Sequence, residues 1–136
     1  MNKLFGRMDI AASGLSAHQQ WMDLIAGNIA NANTTLKPDQ QPFKQQEPVF
    51  RALLDKEGRV AGVYVDKIVE NESEVKKVQM PGHPDADADG NVSMTNIDVM
   101  REMVNLITAS RGYEANATVL EAAKSSIQRS ISLLQV

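Results

Sequence analysis

Two stripes of apolar residues dominate the chain, one towards each end. In the first, Leu4, Met8, Ala11, Leu15, His18, Met22, Ile25, Ile29 and Ala32 follow at alternating steps of four and three. This is the period of one helix face, and only His18 in the stripe is polar. No proline occurs before Pro38, and the intervening Ala and Gln favour helix. The spacing predicts an axial helix within residues 1–35, on the order of 40 Å long at ~1.5 Å per residue. Gly14 and Gly27 weaken it, so packing must help to order it. The asparagines of Asn28-Ile29-Ala30-Asn31-Ala32-Asn33-Thr34 are expected to end it in left-handed, carbonyl-capping conformations.

The second stripe runs Val99, Met103, Leu106, Ser110, Tyr113, Ala117, Leu120, Lys124, Ile127, Ile131 and Leu134, again at steps of four and three. It predicts a C-terminal axial helix within residues 96–136. The preceding Thr95-Asn96-Ile97-Asp98 fits a capping box with the threonine hydroxyl at the N-cap. Val104, Ile107, Ala115 and Val119 widen the apolar surface beyond the stripe, and Ala109, Ala115, Ala117, Ala122 and Ala123 keep it smooth enough for close helix approach. A helix that is apolar around much of its girth needs partners on more than one side. One other long helix in the chain cannot supply them all, so copies or other proteins are expected to do so. Ser110 and Lys124 are polar breaks of the sort that fix register.

Residues 36–95 have a different texture. Residues 36–48 are rich in Gln and Pro and read as an extended loop. Val49-Phe50-Arg51-Ala52-Leu53-Leu54 and Val60-Ala61-Gly62-Val63-Tyr64-Val65 read as strands around the turn Asp55-Lys56-Glu57-Gly58, the second continuing through Val69. Residues 74–80, Glu74 to Met80, make a third strand. The expected fold is therefore mainly α with a small β region. Two long terminal helices form a coiled-coil-like layer, and a β-hairpin or small sheet is inserted between them. So small a sheet has little apolar area of its own.

Composition sharpens this picture. Of 136 residues, 43% are hydrophobic but only 4% aromatic, so the apolar content is aliphatic, Met and Ala. The net charge of −3 falls wholly within the middle, because both terminal segments are neutral. Neutral ends suit burial among neighbours and a charged middle suits exposure. The acidic balance excludes a strongly basic nucleic-acid binder. No cysteine is present, which removes disulfides, thiolate zinc sites and a cysteine nucleophile. No apolar run approaches the ~18 residues of a membrane span, and Asp9 and Ser13 interrupt any signal-like apolar region.

Candidate chemistry is sparse. No phosphate loop, Gly-x-Ser-x-Gly elbow or His-Glu-x-x-His motif occurs, and His18 and His83 stand in different segments. No catalytic residue, cofactor site or metal site is assigned. Asp85, Asp87, Asp89 and Gly90 match the opening of a calcium loop, with Val92 at its eighth position. Asn96 stands where a bidentate Glu is needed, and Pro81 and Pro84 replace the preceding helix. A solvated acidic turn leading into the C-terminal helix is the better reading. A calcium-dependent helical adaptor using these aspartates is the alternative.

The segment from Ser13 to Thr34, with its core Asn28-Ile29-Ala30-Asn31-Ala32-Asn33-Thr34, resembles the N-terminal signature of bacterial flagellar rod and hook proteins. The segment from Asn96 to Asn116, containing Ser110-Arg111-Gly112-Tyr113, resembles their C-terminal signature. Chain length and the His83-Pro84-Asp85-Ala86-Asp87 run place the resemblance with the proximal rod members of the basal-body rod family. Relatives often carry a Gly-Gly-Pro-Tyr-Arg-Arg-like run after the threonine, where this chain has Gln41-Pro42-Phe43-Lys44.

The resemblance implies a structural protein without catalytic activity or cofactor. Its terminal helices would form the inner coiled-coil layer of a hollow tube, with the β-rich middle outside. Partners would be copies of itself, other rod proteins, the inner-membrane ring at the rod base and the type III export apparatus. Nucleic acid and membrane insertion are not implied. It would be exported without a cleaved signal and would assemble in the periplasm as part of the basal body, serving motility. Leu4, Met8, Leu15, Met22, Ile25, Ile29, Val99, Met103, Leu106, Tyr113, Leu120, Ile127, Ile131 and Leu134 would carry the packing. Asn28, Asn31, Thr34, Ser110, Arg111 and Tyr113 are the signature positions.

Overall fold

The computed structural model of the chain describes residues 2–37, 40–71 and 75–134, with side chains described between Gly6 and Leu133. The side chains of Leu4 and Leu134, together with Pro38, Asp39 and Glu74, lie outside the described set. The elements run α1 (Asn2–Asn31), β1 (Thr35–Leu36), β2 (Gln46–Leu54), β3 (Val60–Glu70), β4 (Lys76–Gln79), β5 (Asn91–Met94) and α2 (Val99–Leu134). The protein is thus helix-rich, with two long helices flanking a small antiparallel β region.

α1 and α2 pack against each other in antiparallel fashion. Gly14 faces Asn116, His18 faces Gly112, and Asn28 bonds to Glu102. Small residues set the closeness of this seam. A Cβ added at Gly14 would lie 2.8 Å from the Asn116 amide nitrogen, and one at Gly112 would run into the His18 ring. Gly14 therefore serves the packing, although by propensity it weakens the helix. The buried apolar side chains among the described residues are Ala11, Ala17, Ile25, Ala32, Leu36, Val92, Ile97 and Ala109, so alanine dominates.

The buried stripe is offset from the apolar stripe read in the sequence. Ala11, His18, Ile25 and Ala32 are shared, but Gly14 and Asn28 are the buried contact positions where the apolar stripe has Leu15 and Ile29. In α2 the buried positions are Glu102 and Ala109, whereas Met103 is 49% exposed. Helices that approach closely meet along their small residues, and the larger aliphatic side chains flank the line of contact.

The helix ends also differ from expectation. Asp98, not Thr95, caps α2: its Oδ1 accepts from the backbone N–H of Met100 at 3.0 Å and of Arg101 at 3.3 Å. Thr95 is buried and turns its hydroxyl to the last carbonyls of α1, 2.9 Å from Asn31 and 2.7 Å from Ala32. No described residue other than glycine has positive φ, so the left-handed asparagine cap does not form. α1 ends in a tightened turn instead, with Ala32 N–H on the Ile29 carbonyl and Thr34 N–H on the Asn31 carbonyl, each at 3.2 Å.

The expected hairpin is present and longer than read. β2 and β3 pair antiparallel from Gln46↔Glu70 to Leu54↔Val60, with irregularities at Val49/Phe50 and Leu53/Leu54. Its turn uses Gly58 at φ 76°, and Asp55 accepts at 2.9 Å from the N–H of both Glu57 and Arg59. β3 lies on α1, where Ser13 Oγ accepts from the Val63 N–H at 3.0 Å over Gly62. Two corrections follow for the middle. The extended loop is shorter than residues 36–48, since Leu36 and Gln46 are both in strands. The acidic turn does not lead directly into α2: β5 follows it and pairs with both β1 and β4 in a three-stranded sheet.

Candidate assembly surface

The solvent-accessible surface of the chain is 9705 Å². A compact monomer of this mass exposes about 7,000 Å². The surplus of roughly 2,700 Å² exceeds what ~800 Å² per partner in a standard interface would remove. Much of this surface is aliphatic. On α2, Met100 (72% exposed), Met103, Val104 (61%) and Ile107 form one continuous outward patch. Val119, Ile131 and Leu133 (79%) continue the exposure towards the helix end. Leu106, Ile107, Ser110, Arg111 and Glu114 line a shallow groove of ≈ 400 Å³ beside the patch. On the hairpin, Leu53, Leu54, Val60 and Ile68 are at least half exposed. Contiguous apolar surface on this scale marks interaction sites.

The expected packing residues divide between the inner seam and this outer surface. Ile25 is 1% exposed and belongs wholly to the seam. Met8, Leu15, Met22, Ile29, Val99, Leu106, Tyr113, Leu120 and Ile127 are half-buried along its flanks. Met103 and Ile131 lie outside. Of the signature positions, Asn28 is buried, Asn31, Ser110 and Tyr113 are half-buried, and Thr34 and Arg111 are exposed. Asn31 donates back to the Gly27 carbonyl at 2.8 Å, which serves its own helix end.

Asn28 stands in a buried polar cluster that the apolar stripes could not reveal. Its Nδ2 donates to Glu102 Oε2 at 2.7 Å and to the Gln46 carbonyl at 2.9 Å. Its Oδ1 accepts from the Gln46 N–H at 2.9 Å. Glu102 Oε1 accepts from Gln45 Nε2 at 2.9 Å and from Asn105 Nδ2 at 3.0 Å. Glu102, Asn28 and Gln45 are at most 1% exposed. The asparagine amide thus pairs with Gln46 as a strand neighbour would and seats the hairpin on the helices. The place of Glu102 in the first turn of α2, where the helix dipole favours an anion, suits its charge. One signal was available in the sequence: the line Glu102, Ala109, Gly112, Asn116 marks a small-residue face one position away from the stripe of large ones.

A second junction is aromatic. His18, Trp21 and Phe50 meet with ring centroids 5.7–6.3 Å apart, joining α1 to β2. His18 Nδ1 lies 2.8 Å from the Gly14 carbonyl, so it carries the proton and donates. Its role is packing.

The acidic run serves local turns. Asp85 Oδ2 accepts from Thr35 Oγ1 at 2.7 Å, and Asp87 Oδ1 accepts from the N–H of Asp89 at 3.0 Å and of Asn91 at 2.8 Å. Among the described residues no group of three or more His, Cys, Asp or Glu side chains is placed to hold a metal ion. No described helix is long and apolar enough to cross a membrane.

Family comparisons match both ends of the chain. The family model described as "Flagella basal body rod protein" matches residues 8–35, and "Flagellar basal body rod FlgEFG protein C-terminal" matches residues 88–133. The chain is 41% identical to flagellar basal-body rod protein FlgC of Yersinia enterocolitica over 132 residues, covering 97% of this chain and 98% of the relative. It is 40% identical to FlgC of Escherichia coli O6:H1 with the same coverage. Identity to FlgC of Bacillus subtilis is 30% over 145 residues, covering 95% and 97%. The chain belongs to the FlgC family of flagellar basal-body rod proteins. As a member of the FlgC family it is a structural rod component of the basal body and not an enzyme.

Proposed function

We propose that this chain is a subunit of the proximal rod that packs with copies of itself and with other rod proteins into a helical shaft transmitting torque. The α1–α2 pair, drawn from residues 1–35 and 96–136, contributes to the inner coiled-coil-like layer of that shaft. Residues 36–95 stand outside it as the charged, β-rich middle. The subunit stands in the periplasm and meets the inner-membrane ring at the rod base, having been delivered by the type III export apparatus.

The observation that carries this reading is the aliphatic surface of α2 left open in the single chain, above all Met100, Met103, Val104 and Ile107. Contacts between unlike patches repeat along a filament without closing, as a shaft requires. The test is a chain carrying Val104→Asp and Ile107→Asp in place of the native copy in a motile strain. Both residues are exposed, so the variant keeps the helical circular dichroism of the wild type, while swimming and rod formation are lost. Normal swimming by this variant would overturn the reading.

A further inference from the structure

We propose that Glu102 is the register key of the helix pair: its buried carboxylate permits one antiparallel alignment of α1 and α2 and penalises the neighbouring ones. The seam consists largely of small and apolar residues at heptad spacing, and such a surface tolerates sliding by one heptad, about 10 Å at ~1.5 Å per residue. Ala11 and Ala17 on α1 and Ala109 on α2 distinguish poorly between alignments by apolar contact alone, whereas Gly14 and Gly112 each fit one side chain, Asn116 and His18.

Glu102 distinguishes them by chemistry. In the observed alignment its two oxygens take three amide N–H donors: Asn28 from the end of α1, Gln45 from the entry to β2, and Asn105 from its own helix. Among the described residues it has no ion-pair partner, so these donors and the helix N-terminus compensate it. A slide of one heptad in one direction sets Glu102 opposite the Trp21 ring. A slide in the other direction sets Asn28 opposite Ala109. Either one strands a buried carboxylate or a buried amide without its partner, and an unpaired buried ion is far more costly than a lost apolar contact. Gln45 and Asn28 also fix the hairpin, so register and hairpin seating are decided at one point. The consequence for the shaft, which rests on the rod reading, is that a one-heptad slip would displace the free end of α2 by about 10 Å.

Because the chain has no cysteine, engineered pairs report the register cleanly. In the purified full-length chain Ala11→Cys is combined in turn with Leu120→Cys, Tyr113→Cys or Ile127→Cys, three half-buried α2 positions one heptad apart beside the seam. Oxidation is followed by peptide mass. With Glu102 in place, the Leu120→Cys pair closes at least about tenfold faster than either other pair. Glu102→Leu brings the three rates within about threefold, and the isosteric Glu102→Gln falls between. An unchanged preference in both variants overturns the proposal and assigns the register to the Gly112–His18 and Gly14–Asn116 fits. Loss of helical circular dichroism in both overturns it too, because the carboxylate would then hold the fold and not its alignment. Swimming is a separate readout: failure of the rod reading would appear there without altering the cross-linking pattern.

Discussion

The two ends of the helix pair are built on opposite principles. Where α1 meets the start of α2, Ile25, Asn28, Glu102 and Ala109 are sealed and Thr95 closes the last carbonyls of α1. Among the described residues the buried side-chain polar atoms there find partners within the chain, apart from Gln45 Oε1. Along the outer face and last turns of α2, Val104, Ile107, Val119, Ile131 and Leu133 stand half exposed or more, with no covering element among the described residues. The first end is complete as a monomer. The second has the composition of an interior without the interior. Substitutions at the sealed end should lower the stability of the chain itself, whereas those on the open face should spare the monomer and damage assembly.

The strongest way to break the sealed end is Ile25→Asp, which puts a charge at a site 1% exposed. It should cost about 4 kcal/mol or more, seen as unfolding of the isolated chain and loss of motility. Gly112→Ala comes next. Its methyl group must displace the His18 ring, so it should cost about 1–3 kcal/mol in thermal or urea unfolding. A smaller loss, about 1 kcal/mol, should follow Thr95→Val, because the shape is kept while the hydroxyl shared between the carbonyls of Asn31 and Ala32 is lost.

The smallest effect belongs to the exposed hairpin turn and depends on pH. The Arg59 backbone N–H first, and then its guanidinium, hold the Asp55 carboxyl below its ordinary value. A group whose pKa is depressed on folding adds stability above its unfolded value and loses it as pH falls through the folded one. The gap in melting temperature between wild type and Asp55→Asn should therefore be constant near neutrality and close below about pH 4. A gap that widened on acidification would contradict this assignment.

How much was legible in the sequence follows the same divide. Both long helices and the β2–β3 hairpin were visible because their apolar periods run over many residues. β1 was not, since Thr35–Leu36 is too short to show a period. β5 was masked by the acidic run before it, although Val92 within it is fully buried. The contact line between the helices keeps Ala11, His18, Ile25 and Ala32 of the apolar stripe but also follows Gly14, Ala109 and Gly112, which apolar patterning passes over because it weighs large side chains. Glu102, Gln45 and Thr95 were missed because a polar residue looks exposed until its partners, from 57 to 74 residues away for the first two, are brought to it. The open face of α2 was legible as surplus apolar surface.

On the rod reading, neighbouring subunits cover this surface. This is tested by maleimide labelling of single cysteines in the otherwise cysteine-free chain, comparing the purified monomer with isolated basal bodies. Ile107→Cys on α2 and Lys56→Cys in the hairpin turn are both exposed in the single chain and should label at similar rates there. In basal bodies Ile107→Cys should become protected at least about tenfold while Lys56→Cys stays reactive. Equal labelling of Ile107→Cys in both states would contradict a core shared between subunits.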